Sequence, residues 1–129
     1  MEISDWGTTG LGGPTRADEI HEGPEATDFI DFIRNIGSPR DTEFGGGTYG
    51  YGKSSLWLNS RCGTICLHTS TKFMERRVER FMASRIGAPF EDENTKYTGR
   101  HWWGRFAEDK VVDPVENSEA GEFAEQLGM

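Results

Sequence analysis

The densest chemical signal in the chain is Gly45-Gly46-Gly47-Thr48-Tyr49-Gly50-Tyr51-Gly52, followed at once by Lys53-Ser54-Ser55. Glycine admits positive φ, so successive backbone N–H groups in such a run can converge on one anion. A helix predicted over 53–61 adds its unpaired N–H groups and the positive end of its dipole at the same place. Lys53 supplies a full charge. On these grounds the segment reads as a phosphate cradle, and a flexible glycine linker is the plainer alternative.

Gly47, four further residues and then Gly52-Lys53-Ser54 also satisfy the P-loop pattern. A P-loop joins a buried parallel strand to a helix, so an apolar run should precede its first glycine. The residues in that place are Ile36-Gly37-Ser38-Pro39-Arg40-Asp41-Thr42-Glu43-Phe44, which are polar and broken by proline. A P-loop NTPase using Gly47, Lys53 and Ser54 is therefore the second reading.

A second glycine cluster, Asp5-Trp6-Gly7-Thr8-Thr9-Gly10-Leu11-Gly12-Gly13, has no role in a P-loop. Taken with the first, it resembles the GHKL ATPases (gyrase, chaperone, histidine kinase and MutL), in which an Asp-x-Gly box precedes a helix and then a glycine-rich lid. Arg34-Asn35-Ile36-Gly37-Ser38-Pro39-Arg40 and Tyr97-Thr98-Gly99-Arg100-His101-Trp102-Trp103-Gly104 look like one bacterial branch of that superfamily. The resemblance runs from about Ile3 to the C-terminus.

The resemblance implies ATP as ligand. Asp5 matches the aspartate that accepts a hydrogen bond from the adenine amino group, and an ionised carboxylate, which only accepts, suits that task. A turn or helix cap is the other use for Asp5. Gly7 and Gly10 would let the backbone approach base and sugar, with Thr9 or its neighbour Thr8 adding a hydroxyl. Gly46, Gly47, Thr48, Tyr49, Gly50 and Gly52 match the lid, and Lys53 and Ser54 the phosphate contacts. Mg²⁺ is implied too, but the superfamily's Glu that activates water and Asn that holds Mg²⁺ lie on a helix before the first box. Only Met1 to Ser4 precede Asp5, so no catalytic residue is assigned and hydrolysis by this chain alone is not expected.

The implied fold is α+β, a two-layer α/β sandwich of the Bergerat type. Its mixed sheet would be covered by helices on one face, with the domain incomplete at both the N-terminus and the C-terminus. Residues 1–129 would form a single partial domain: an adenine-side loop over 1–15 after a strand's end, a helix over 24–36, and a lid over 37–52. Residues 53–129 would hold a helix, the sheet and a C-terminal helix.

The residue pattern supplies the elements. Phe29, Phe32, Ile33 and Ile36 follow the spacing of one buried helical face, with Pro24 at its start and Gly37 at its end. Thr64-Ile65-Cys66-Leu67-His68-Thr69 has a strand's composition. Met74, Val78, Phe81, Met82 and Ile86 have helical spacing, which predicts a helix over 72–86. A strand over 79–86, turning through Gly87, Pro89 and 91–95, is the alternative. A strand over 96–106 would carry Tyr97, Trp102, Trp103 and Phe106, and Ala120, Phe123, Ala124 and Leu127 mark a last helix. The two tryptophans read as core or interface, and His68 and His101 as structural.

Composition limits the partners. Hydrophobic residues make up 34% and there are 17 Gly, so the core is thin and a completing segment of the same ATPase, or a homodimer partner, is expected. The net charge of −8 does not support nucleic-acid binding. Lys72, Arg76, Arg77, Arg80 and Arg85 read as a solvated helix face. No apolar run reaches the roughly 20 residues of a membrane helix, and the N-terminus lacks a signal-peptide pattern. A cytoplasmic setting is expected, with Cys62 and Cys66 as buried thiols. A protein-interaction module without catalysis is the third reading.

Overall fold

The computed structural model describes residues 1–16, 26–35, 51–107 and 111–129, without the side chains of Tyr51 and Lys53. A long hairpin organises the chain. β1 (Thr64–Phe73) and β2 (Arg76–Ile86) pair antiparallel, from Thr64 opposite Arg85 to Phe73 opposite Arg76. Met74 and Glu75 make the turn with φ of 47° and 61°. A two-residue loop with both φ positive matches the twist of the strands it joins.

The far edge of β2 is shared. β5 (Arg100–Trp103) pairs with Ala83–Ile86, and β8 (Val115–Glu116) pairs with Arg80 and Phe81. Two short hairpins stand apart from this sheet. One joins β3 (Phe90–Asp92) to β4 (Thr95–Tyr97), and the other joins β6 (Arg105–Phe106) to β7 (Val112–Asp113). Every pairing among the described residues is antiparallel, where a mixed sheet was expected.

Alternation along a strand assigns the two faces of the sheet. Leu67 and Met82 lie opposite each other and pack with Phe29 and Ile33. Those two come from a helical segment in which Asp28 and Phe29 lead into a π-helix, Ile30–Arg34. The Asn35 N–H closes that turn on the Ile30 carbonyl at 2.9 Å. Helix α1 (Tyr51–Asn59) covers the same face. Its Trp57 is buried, meets the Phe32 ring at 6.1 Å and donates its indole N–H to the Ser84 carbonyl at 3.1 Å.

The opposite face belongs to α2 (Asn117–Gln126). Phe81 stacks on Phe123 with centroids 5.5 Å apart, and Ala120 and Ala124 are buried beside it. The α+β class holds, but the described helices cover both faces of the sheet instead of one.

That double coverage corrects the helix expected over 72–86. Phe81 and Met82 are adjacent and both buried because each faces a different layer, so a strand acquires apolar spacing that mimics a helix. Two glycines break the strand expected over 96–106. A Cβ on Gly99 (φ +77°) would lie 2.3 Å from the Ala88 carbonyl oxygen, and one on Gly104 would lie 2.1 Å from that of Asp113. Residues 1–16 are irregular, with no strand before the glycine cluster.

Met82 is fully buried at the centre of the first face, so Met82→Ala should cost about 2–5 kcal/mol in denaturant unfolding. Phe106→Ala, at an exposed position, should cost about 0.5 kcal/mol or less. Equal losses would contradict the assignment of the core.

Candidate functional site

The Gly7–Gly13 loop lies alongside β1, held by side chains. The Leu11 N–H donates to Thr69 Oγ1 at 2.9 Å, and Thr71 Oγ1 donates to the Thr9 carbonyl at 2.9 Å. Both threonines are buried, two residues apart on the inner face of the strand. Their hydroxyls therefore give the loop partners that a regular ladder would otherwise supply. The Phe29 N–H donates to the Gly12 carbonyl at 3.0 Å, and Arg80 Nη1 to the Gly13 carbonyl at 2.7 Å.

Glycine is required where this loop touches its neighbours. Gly10 has φ +67°, and a Cβ there would stand 2.1 Å from the Ser70 carbonyl oxygen. At Gly13 (φ +89°) a Cβ would stand 1.7 Å from the Ala26 carbonyl oxygen. Gly7 differs, with φ +77° but open space around the position of its missing Cβ.

The loop and the hairpin end enclose an open cleft of about 830 Å³. Thr8, Thr9 and Gly10 line it from one side and Ser70, Thr71 and Lys72 from the other. Its lining is rich in hydroxyls and carries charge of both signs. Lys72 Nζ meets Glu75 Oε2 at 2.8 Å, while Arg77 Nε donates to Ser70 Oγ at 3.0 Å. Such a surface offers donors and acceptors to a polar ligand and two cations at its rim.

The predicted site residues are only partly brought together. Thr9 and Gly10 line the cleft. Asp5 and Gly7 are exposed and are not among its lining residues. Gly52, Lys53 and Ser54 stand in the first turn of α1, which begins two residues ahead of Lys53, and Ser55 Oγ donates to the Gly52 carbonyl at 2.6 Å. Gly46, Gly47, Thr48, Tyr49 and Gly50 lie outside the described residues, as does most of the lid expected over 37–52. Among the described residues no group of His, Cys, Asp or Glu is arranged to hold a metal ion.

The basic cluster expected on a helix face is instead spread along the hairpin. Lys72, Arg76, Arg77 and Arg85 are exposed on the strands, whereas Arg80 is only 1% exposed. Sequence reasoning missed Arg80 and the Thr69–Thr71 pair. Their signals were an arginine beside Phe81 and Met82 in a strand-length run, and hydroxyls at a period of two.

The cysteines also differ from expectation, since both thiols are exposed. Cys62 sits in the turn before β1, its Sγ 3.4 Å from Ser60 Oγ. Hydrogen bonds, led by that from Ser60 and then those from Thr64, pull its pKa down to about 7. Partial burial, then the nearby charge of Cys62, push Cys66 up.

Two outcomes follow. Gly7→Ala should lose about 1–2 kcal/mol through its left-handed backbone alone, and Gly10→Ala should lose more because backbone must also move; thermal unfolding of both variants checks the order. Alkylation of Cys62, followed by peptide mass spectrometry, should rise with pH through a midpoint near 7, while Cys66 reacts only at higher pH. A shared midpoint would contradict the turn geometry.

Comparison of the chain with family models, curated proteins and solved structures returns no match.

Proposed function

We propose that the chain is the ATP-binding part of a GHKL-like ATPase, with the Gly7–Gly13 loop as one wall of the nucleotide site. The observation that carries this reading is the loop itself. Gly10 and Gly13 are pressed onto β1 and the segment at Ala26, and the loop borders an open cleft that it shares with Ser70, Thr71 and Lys72 of β1. A backbone without side chains lets a flat base or a sugar approach closely. Gly7, with open space where a Cβ would stand, fits such an approach.

In this reading Asp5 accepts from the adenine amino group, and Thr9 and Gly10 border the sugar. The first turn of α1, with Gly52, Lys53 and Ser54, contributes the positive end of the helix dipole and a lysine charge to the phosphates, together with the lid residues Gly46 to Gly50. Mg²⁺ would accompany the phosphates. The described residues supply no ligand set for it, so no step is derived through it. The role is binding, with turnover left to a remaining segment of such an ATPase or to a second copy of the chain. A cytoplasmic setting completes the proposal.

The antiparallel hairpin that follows α1 supports the reading, since it gives the glycine loop a rigid strand to lie on. One observation favours a protein-interaction module instead. Phe90 stacks on Tyr97 at 4.8 Å and on His101 at 5.9 Å, and His101 on Trp103 at 6.2 Å, with Trp103 about half exposed. Exposed aromatic surface of this kind suits protein contacts.

Calorimetric titration of ATP, with and without Mg²⁺, separates these readings. Wild type should bind ATP in preference to GTP. Asp5→Asn and Lys53→Ala should each weaken binding by about 1.5–3 kcal/mol, roughly 10–100-fold. Loss at Lys53 alone would favour the P-loop, and absence of binding in the wild type would favour the interaction module.

A further inference from the structure

We infer that Arg80 is a positioning residue for the glycine loop, fixing Gly13 from behind the cleft wall and tying that wall to Glu116 at the start of α2. The inference rests on the reading of this loop as a ligand wall. Arg80 belongs to β2, opposite Thr69, and is almost wholly buried. Its guanidinium lies between two rings, 5.2 Å from the centroid of Phe29 and 5.0 Å from that of Phe73. Nη1 donates to the Gly13 carbonyl at 2.7 Å, and Nε donates to Glu116 Oε1 at 3.2 Å.

These contacts join four separate parts of the fold at one planar group. Gly13 and Phe73 both line the cleft, while Arg80 does not. The cation therefore stands directly behind two lining residues without meeting a ligand. Gly13 is pressed against the Ala26 carbonyl on one side, so its own carbonyl has a fixed direction, and that direction ends on Arg80. Glu116 immediately precedes α2 and gives that helix no side-chain cap. Its carboxylate serves the buried arginine instead.

Only a guanidinium meets these demands together. It is planar enough to lie between two rings and carries donors pointing in different directions. A lysine keeps the charge but has no plane and no fork. Loosening either anchor should free the loop's C-terminal half, and the cleft wall with it.

Hydrogen exchange of the ligand-free protein, resolved by peptides covering residues 7–16 and 64–86, tests this with Arg80→Lys, Glu116→Ala and Glu116→Gln. Exchange over 7–16 should rise at least about fivefold in Arg80→Lys and Glu116→Ala, with little change over 64–86. Glu116→Gln retains an acceptor and should restore slow exchange. On the same samples the Kd for ATP should rise by roughly five- to tenfold in the first two variants. Unchanged exchange over 7–16, or an equal rise over both segments, would overturn the role of Arg80. Should Arg80→Lys fail to fold, the two Glu116 variants, altered at a partly exposed side chain, decide the matter. Absence of ATP binding in wild type would refute the nucleotide reading, while the exchange pattern would still judge Arg80.

Discussion

A guanidinium removed from water must find its partners inside the protein, and the surroundings of Arg80 are arranged to meet that demand. Leaving such a charge unpaired costs about 3–5 kcal/mol, comparable with the whole stability of a small domain. Gly13, Glu116 and the rings of Phe29 and Phe73 therefore form one dependent set. It links the end of the glycine loop, the helical segment carrying Phe29, the end of β1 and the start of α2. The hydrophobic cluster of Phe29, Ile33 and Met82 then closes over the same face.

From that anchor the glycine loop runs along β1 on threonine hydroxyls, and loop and strand together border the cleft. The chain as a whole is acidic, with a net charge of −8. Lys72 and Arg77 at the rim are local exceptions, and the Lys72–Glu75 pair is largely exposed, so screening leaves it worth little to stability. Its use to a ligand is different, because a rim cation acts on an approaching anion before either is desolvated. The exposed Phe90, Tyr97 and Trp103 rings, with the half-buried His101 among them, belong to β3, β4 and β5.

Parts of this arrangement were legible in the residues. The β-branched, compactly apolar composition around Ile65-Cys66-Leu67 marks β1, and Ala120, Phe123 and Ala124 mark α2 by the period of one helical face. β2 was legible only as the second choice, a strand over 79–86, because burial on both faces erases the alternation that identifies one. The turn at Met74-Glu75 hides for a different reason: neither residue is one of the usual left-handed formers, and the hairpin's pairing imposes the conformation. Gly99 and Gly104 cut the expected 96–106 strand through close contacts with distant carbonyls, which no local pattern reveals. Of the residues expected to contact a nucleotide, Thr9 and Gly10 line the cleft, whereas Thr69, Thr71 and Arg80 are brought to the loop by pairing register. The lid from Gly46 to Gly50 lies outside the described residues.

Two separated backbone segments serving one ligand is the claim on which the functional account stands. Backbone amide shifts in an NMR titration with Mg²⁺·ATP test it most directly. The account predicts concerted changes at Gly7–Gly10 and at Gly52–Ser54, with one shared Kd. Changes confined to the α1 side, or centred on the rings from Phe90 to Trp103, would contradict it.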